Sequence, residues 1–342
     1  MIIGTKHLLQ KNILFFIFIC SIYNLSAQTI KINEVVSSNS VHLDEDGDAS
    51  DWLEIHNYGS QNVSMNGWFL SDDVNDLTQW TFPNITLTPN QYILLWASSK
   101  NRTALNYPRT LINRGDNFKY LLPTSEPNSN WKNLNFNDVN WASGTSGFGY
   151  ADGDDATIIP NGTQSVYLRK TFTIDKLSTI TSLILDMDYD DAFVAYINGN
   201  EVARANINGT PPVFNAGTIT DHEAKIYAGG KPERFLISDF NSILIEGENI
   251  LTIQAHNISS GSSDFTIIPF LSAVFSTPNN FGIEPPAILE LKKSDFHTNF
   301  KISSKSETLT LTNASGTIVH QLVAENLPKN TSIGTSIVSR NT

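Results

Sequence analysis

The apolar residues of this chain come in short, β-branched runs closed off by turn residues, and that spacing restricts the fold more than any other feature. The runs include Ile30-Lys-Ile-Asn-Glu-Val-Val36, Trp52-Leu-Glu-Ile55, Tyr92-Ile-Leu-Leu-Trp96 and Leu183-Ile-Leu-Asp-Met187. Phe193-Val-Ala-Tyr-Ile197, Ile250-Leu-Thr-Ile-Gln254 and Thr308-Leu-Thr-Leu311 continue the series. Between them fall Asp46-Gly47, Asn66-Gly67, Asn161-Gly162, Asn198-Gly199, Asn208-Gly209 and Ser315-Gly316. Such runs are too short for amphipathic helices, and β-branched side chains sit well on a pleated surface. Turn pairs at these intervals mark β-sandwiches or barrels. The only helical stretch is one short turn at 238–244. The chain reads as all-β.

At 342 residues it can bury two or three cores. Charged residues make up only 16%, and turn-forming Asn, Ser and Thr take their place. The formal net charge is −12 and the basic residues never cluster. A nucleic-acid partner needs a basic stripe to displace counterions, so that class is excluded. Cys20 is the single cysteine, which excludes a disulfide scaffold, a zinc ribbon and a cysteine nucleophile in a mature chain.

Residues 1–27 read as a secretory signal peptide. Lys6 and Lys11 form the positive region, Ile13 to Ile19 the apolar one, and Leu25-Ser26-Ala27 the cleavage site before Gln28. A membrane helix needs about 20 apolar residues, more than this run offers, so no transmembrane segment is expected in the mature chain. Cys20 leaves a lipoprotein as the alternative, against which stands the bulky Ile19 before it. The expected product is exported, at the cell surface or extracellular.

Three stretches differ in character. Residues 29–105 form one β unit and 116–276 a larger one. After the Pro/Asn-rich segment 277–286, the stretch 287–335 adds three or four strands, too few to bury a core alone. Ile32-Asn33-Glu34, Asp44-Glu45-Asp46-Gly47-Asp48, Ser50-Asp51-Trp52-Leu53-Glu54-Ile55, Asn66-Gly67-Trp68, Leu70-Ser71-Asp72-Asp73 and Trp80-Thr81-Phe82-Pro83 together resemble the lamin-tail domain in its bacterial secreted form. That family has an immunoglobulin-like sandwich. Its second half carries a His-Thr-Asn-Phe-Lys strand, a Glu-x-Leu strand and a hairpin. Here the counterparts come only after residue 287, as His297-Thr298-Asn299-Phe300-Lys301, Ser306-Glu307-Thr308-Leu309 and Asn313-Ala314-Ser315-Gly316. The resemblance implies one sandwich, 28–105 plus 287–342, interrupted by 106–276 and a 277–286 linker.

The middle unit resembles the galactose-binding-like jelly roll. The carrying segments are Trp131 to Phe136 and Trp141, Gly147-Phe-Gly-Tyr150, Asp152-Gly153-Asp154, Tyr167-Leu-Arg-Lys170, Asp190-Asp191, Tyr196-Ile-Asn-Gly199 and Gly247-Glu248-Asn249. Relatives carry Gly after the paired Asp, where this chain has Ala192. The combination is similar to the N-terminal half of secreted proteins that also bear a CotH-type kinase domain. No Gly-rich phosphate loop followed by Lys occurs in this sequence.

Several clusters could carry chemistry. Asp44, Asp46 and Asp48 alternate around Gly47, as a Ca²⁺ site would require, though the EF-hand register fails because it would put Leu53 at the last ligand position. A solvated acidic loop is the competing reading. Asp186, Asp188, Asp190 and Asp191 crowd into six positions, which suits a solvated loop or a cation site better than an acid/base pair drawn from separate elements. Asp190, Asp191, Asn198, Arg204 and His222 are the candidate ligand-binding residues, Arg204 for a sugar hydroxyl or carboxylate and His222 from a long loop. Trp52, Trp68, Trp80 and Trp96 read as core. Trp131, Trp141, Phe148 and Tyr150 read as core or as a sugar-stacking platform. No Gly-x-Ser-x-Gly elbow supports a serine triad. The expected function is non-catalytic adhesion or targeting, with an extracellular polysaccharide or a cell-surface protein as partner and Ca²⁺ as a structural cofactor. The alternative is the accessory N-terminal region of a larger secreted enzyme.

Overall fold

A computed structural model describes residues 29–335. The expected signal peptide and Cys20 lie outside the described residues. The chain forms two β-sandwiches, each around its own core. In the first, a five-stranded sheet runs in the order Phe296–His297, Tyr92–Ala97, Asp51–Asn57, Ile30–Val36, Ile333–Gly334. A four-stranded sheet packs on it in the order Ile318–Ala324, Glu307–Thr312, Phe69–Ser71, Trp80–Thr81. Period-two alternation points Leu53, Ile55, Leu95, Leu309 and Leu311 inward, and all five are fully buried. The core mixes residues from both ends of the chain, Ile32, Leu70 and Trp80 meeting Phe296, Phe300 and Leu322.

The second sandwich has a six-stranded sheet ordered Ala142–Thr145, Asn117–Leu121, Ser165–Ile174, Gly247–His256, Ala192–Ile197, Asn200–Ala205. Its partner sheet runs Thr157–Ile158, Phe148–Tyr150, Phe265–Phe275, Ile180–Tyr189, Glu233–Ile237, with Tyr107–Ile112 also pairing along Phe265–Phe275. Phe148, Leu185, Phe193, Ile253, Phe265 and Leu271 lie between the sheets. Two glycines are dictated by geometry. Gly199 closes a two-residue hairpin with Asn198, both at positive φ (86° and 51°), as this turn type requires. At Gly149 a Cβ would lie 1.9 Å from the carbonyl oxygen of Phe265.

The strands that enter and leave the second sandwich run side by side. Thr110 and Ile283 exchange backbone hydrogen bonds of 2.9 Å in each direction. The amide of Asn106 donates to Ser294 Oγ at 2.7 Å and the amide of Ser294 to the carbonyl of Asn106 at 3.1 Å. The 277–286 stretch is therefore fastened to its neighbour: Arg109 also donates to the carbonyls of Phe281 and Gly282. Leu289, just beyond it, packs on Ile268 and Phe270 of the second sandwich. The helical turn is Phe240–Ile243.

Candidate functional site

The acidic hairpin folds around a cation that the chain itself supplies. Asp44 is buried, and its Oδ1 accepts the amides of Asp46 (3.0 Å) and Asp48 (2.9 Å). The Lys100 ammonium sits among all three carboxylates, 2.6 Å from Asp44, 2.7 Å from Asp46 and 2.9 Å from Asp48. Burial pulls the Lys100 pKa down, but the three carboxylates outweigh it and the net change is upward. Burial likewise pushes Asp44 up, and the Lys100 bond together with the two amides brings it below its ordinary value. A Ca²⁺ ion on these three ligands would have to displace Lys100.

Next to this loop lies a relay of polar groups that joins Glu45 and His297, two members of the lamin-tail segments whose contact the sequence does not announce. Ser98 Oγ is 2.7 Å from His297 Nδ1, and His297 Nε2 is 3.0 Å from Glu45 Oε2. Glu45 also pairs with Arg102 and accepts the amide of Asp295 at 2.9 Å. Arg102 in turn reaches Asp46 at 3.0 Å. The relay assembles because Arg102 and His297 exchange backbone hydrogen bonds, so residues almost two hundred positions apart become neighbours. Its members lie on three segments, and spacing along the chain carries no sign of that.

The acids of 186–191 are buried rather than solvated, because they fasten loops to the second sandwich. Asp186 bonds Arg234 at 2.8 Å, and Asp188 accepts the amides of Lys225 (2.7 Å) and Ile226 (3.0 Å). Asp191 accepts the amides of His222 (3.0 Å) and Ile258 (2.6 Å). Asp190 accepts the Asp191 amide at 3.0 Å, and burial pushes its carboxyl up to about 7. His222 joins this group, stacked on Tyr189 at 4.1 Å with Nε2 3.1 Å from Glu233. Arg204 and Asn198 do not join it. Arg204 pairs with Glu201 and donates to the carbonyls of Ile207 and Gly209. Asn198 ties its hairpin turn to Asn249, Ile243 and Ile250.

Asp152, Asp154 and Asp155 each bring a carboxylate oxygen within 4.8 Å of the others. Asp152 accepts from the buried Thr266 hydroxyl, and Asp154 faces Arg114 at 3.4 Å. Burial, and then the charge of Asp152, push Asp155 up to about 8, so the cluster relieves its repulsion by keeping a proton there. Three acids within four residues are a signal that could have found this group.

The aromatic candidates divide by strand face. Trp68 and Trp80 are core. Trp52 and Trp96 face each other in register on the outer side of the five-stranded sheet, because Leu53 and Leu95 take the inner side. Trp52 is only half-buried there, whereas Trp96 is buried as expected. Phe148 and Tyr150 are core, and Trp131 and Trp141 pack with Tyr167 and Tyr196 in a small cluster of their own. The loop carrying Trp131 is held by buried Arg169, which pairs with Asp138 at 2.8 Å and donates to the carbonyls of Trp131, Asn133 and Phe136. None of the four offers an open platform.

One aromatic ring is left open at the seam between the sandwiches. A cleft of about 430 Å³ is lined by Gln91, Tyr92 and Leu94 on one side and by Tyr107, Lys293 and Asp295 on the other. Tyr92 is 48% exposed, and its other face stacks on buried His56, ring to ring at 3.8 Å and 6°.

An interrupted immunoglobulin-like sandwich with an acidic hairpin closed by lysine is the class these features define. The profile of the lamin tail domain matches residues 24–205, more than half of the chain, and the chain belongs to that family. The match begins ahead of the first strand and runs to the end of the Asn200–Ala205 strand of the second sandwich. No curated protein matches. Similar solved structures include a β-glucuronidase from an uncultured Clostridium sp., 10% identical over 66% of this chain and 40% of that one, with a TM-score of 0.34. A β-glucuronidase of glycoside hydrolase family 2 is 15% identical over 67% of this chain and 25% of that one, with a TM-score of 0.31. A calcium-binding mutant of Bacteroides uniformis β-glucuronidase 2 is 14% identical over 67% and 26%, with a TM-score of 0.32. This chain thus spans less than half the length of each. Among the described residues no helix is long and apolar enough to cross a membrane.

Proposed function

We propose that this chain is an exported, non-catalytic module that binds an extracellular polysaccharide or a cell-surface protein and so places its carrier there. The observation that carries this reading is the engagement of the carboxylates that the sequence singled out in the acidic hairpin and at 186, 188 and 191. Asp44, Asp46 and Asp48 close on Lys100, Asp186 closes on Arg234, and Asp188 and Asp191 close on backbone amides. A general acid or base must reach the proton it moves, and these groups serve the scaffold instead. The experiment is a binding screen of the exported protein against a broad glycan array and intact cells. Binding to neither, or turnover of nitrophenyl glycosides, overturns the reading. The second reading, an accessory region beside a CotH-type or carbohydrate-active domain, follows from the sequence resemblance and is separated by the coding sequence beyond Thr342.

A further inference from the structure

We propose that the seam cleft at Tyr92 and Tyr107 is the saccharide site of this protein, a proposal that rests on the binding reading and gives it a place. The cleft's 430 Å³ falls in the range of roughly 300–1,000 Å³ that holds small ligands. Its lining includes a braced aromatic ring. Tyr92 leans on His56, itself 4% exposed, so the ring presents one fixed, open face. Opposite, the Lys293 ammonium lies 5.3 Å from the centroid of Tyr107, inside cation–π range.

The rim is polar in both senses. Gln91 Oε1 accepts from the amide and hydroxyl of Thr88, and its NH₂ group is a donor beside the cleft. Asp295 accepts the Trp96 indole N–H at 3.2 Å through Oδ2, and its other carboxylate oxygen can accept from a ligand. The Tyr107 hydroxyl and the Lys293 ammonium add donors. A pyranose offers an apolar C–H face to the Tyr92 ring and a girdle of hydroxyls, each both donor and acceptor, to that rim. A wholly apolar ligand would strip water from Lys293 and Asp295 without replacing the hydrogen bonds that water makes. The juxtaposition arises only in the folded chain, since Gln91 and Lys293 come from opposite sides of the inserted sandwich.

The test uses the full exported chain and a panel of soluble gluco-, xylo-, manno-, galacto- and chito-oligosaccharides, read by titration calorimetry. Wild type should bind at least one, Tyr92→Ala should weaken that binding tenfold or more, and Tyr92→Phe should keep it. Lys293→Ala, on an exposed side chain, repeats the test should Tyr92→Ala alter the melting curve. Binding by wild type that both alanine variants retain in full would overturn this site and leave the binding reading standing. Wild type that binds no member of the panel overturns the saccharide proposal itself. Binding to intact cells alone would then keep the broader reading with a protein partner.

Discussion

Ser98 Oγ and His297 Nδ1 lie 2.7 Å apart in a buried contact between residues 199 positions apart in the chain. The Glu45 carboxylate opposite Nε2 can only accept, so in the neutral ring Nε2 carries the hydrogen and the Ser98 hydroxyl donates to Nδ1. The imidazole thereby clips the returning segment to the end of the Tyr92–Ala97 strand and to the acidic hairpin at once.

Replacing His297 with Ala leaves the buried Ser98 hydroxyl without its acceptor and the Glu45 carboxylate with only Arg102 and one amide, beside a cavity. The expected loss is about 2–4 kcal/mol of unfolding free energy, measured by urea denaturation. A loss below about 0.5 kcal/mol, the size of an ordinary surface change, would mean that the contact does not hold the segment.

Lys100→Met sets three carboxylates against one another with only Arg102, at Asp46, left as a cation. The variant should melt lower than wild type and should regain stability when Ca²⁺ is added, through binding to the native state alone. Wild type should respond to Ca²⁺ far less. A wild-type melting temperature that rises with Ca²⁺ as much as the variant's would show that the ion displaces the lysine.

Asp155 gives a pH dependence of known sign. An unfolded aspartate titrates near pH 4, whereas the folded group is held at about 8 by burial and by Asp152. The folded chain keeps the extra proton, so this contribution is complete below about pH 4, declines as pH rises and is gone above about 8. His256, lowered to about 4 by burial, has the opposite slope but is neutral in both states above about pH 7.5. Asp190, at about 7, slopes the same way as Asp155. Melting curves from pH 6.5 to 9 should therefore fall in wild type and fall less in Asp155→Asn. Equal slopes would refute the assignment.

Excising the second sandwich should leave the first able to fold. Residues 29–105 joined through a short Gly/Ser link to 294–335 retain the members of their core, and Asn106 and Ser294 already meet, so the link closes a short gap. Residues 29–105 alone lack Phe296, Phe300, Leu309 and Leu311 and expose strand edges. A cooperative thermal melt is expected of the joined chain, and none of 29–105 alone. A sharp melt from the shorter piece would make the returning strands dispensable.

The all-β class was legible in the alternation of Thr308-Leu-Thr-Leu311 and in turn pairs such as Asn198-Gly199, because both are local requirements of backbone geometry. The lamin-tail family was legible in Asp51-Trp52-Leu53-Glu54-Ile55 and Trp80-Thr81-Phe82-Pro83. Burial of Asp188 and Asp191 was not: a carboxylate beside a turn looks solvated until the amides of 225, 226 and 258 arrive from distant loops. Trp52 misled for the opposite reason, since one step along a strand exchanges inner for outer face and the sequence shows apolar residues on both. Lys100 and His297 were invisible as partners of the acidic hairpin because their contacts span the fold rather than the chain.

The paired bonds at Asn106–Ser294 and Thr110–Ile283 also decide how the molecule would bear tension. Pulled between residues 29 and 335, the first sandwich takes the load, starting with the short Ile333–Gly334 strand, which lies antiparallel beside Ile30–Val36 and would peel away one pair at a time. The second sandwich, entered and left through strands tied to each other, hangs beside the line of force and stays slack until those ties break.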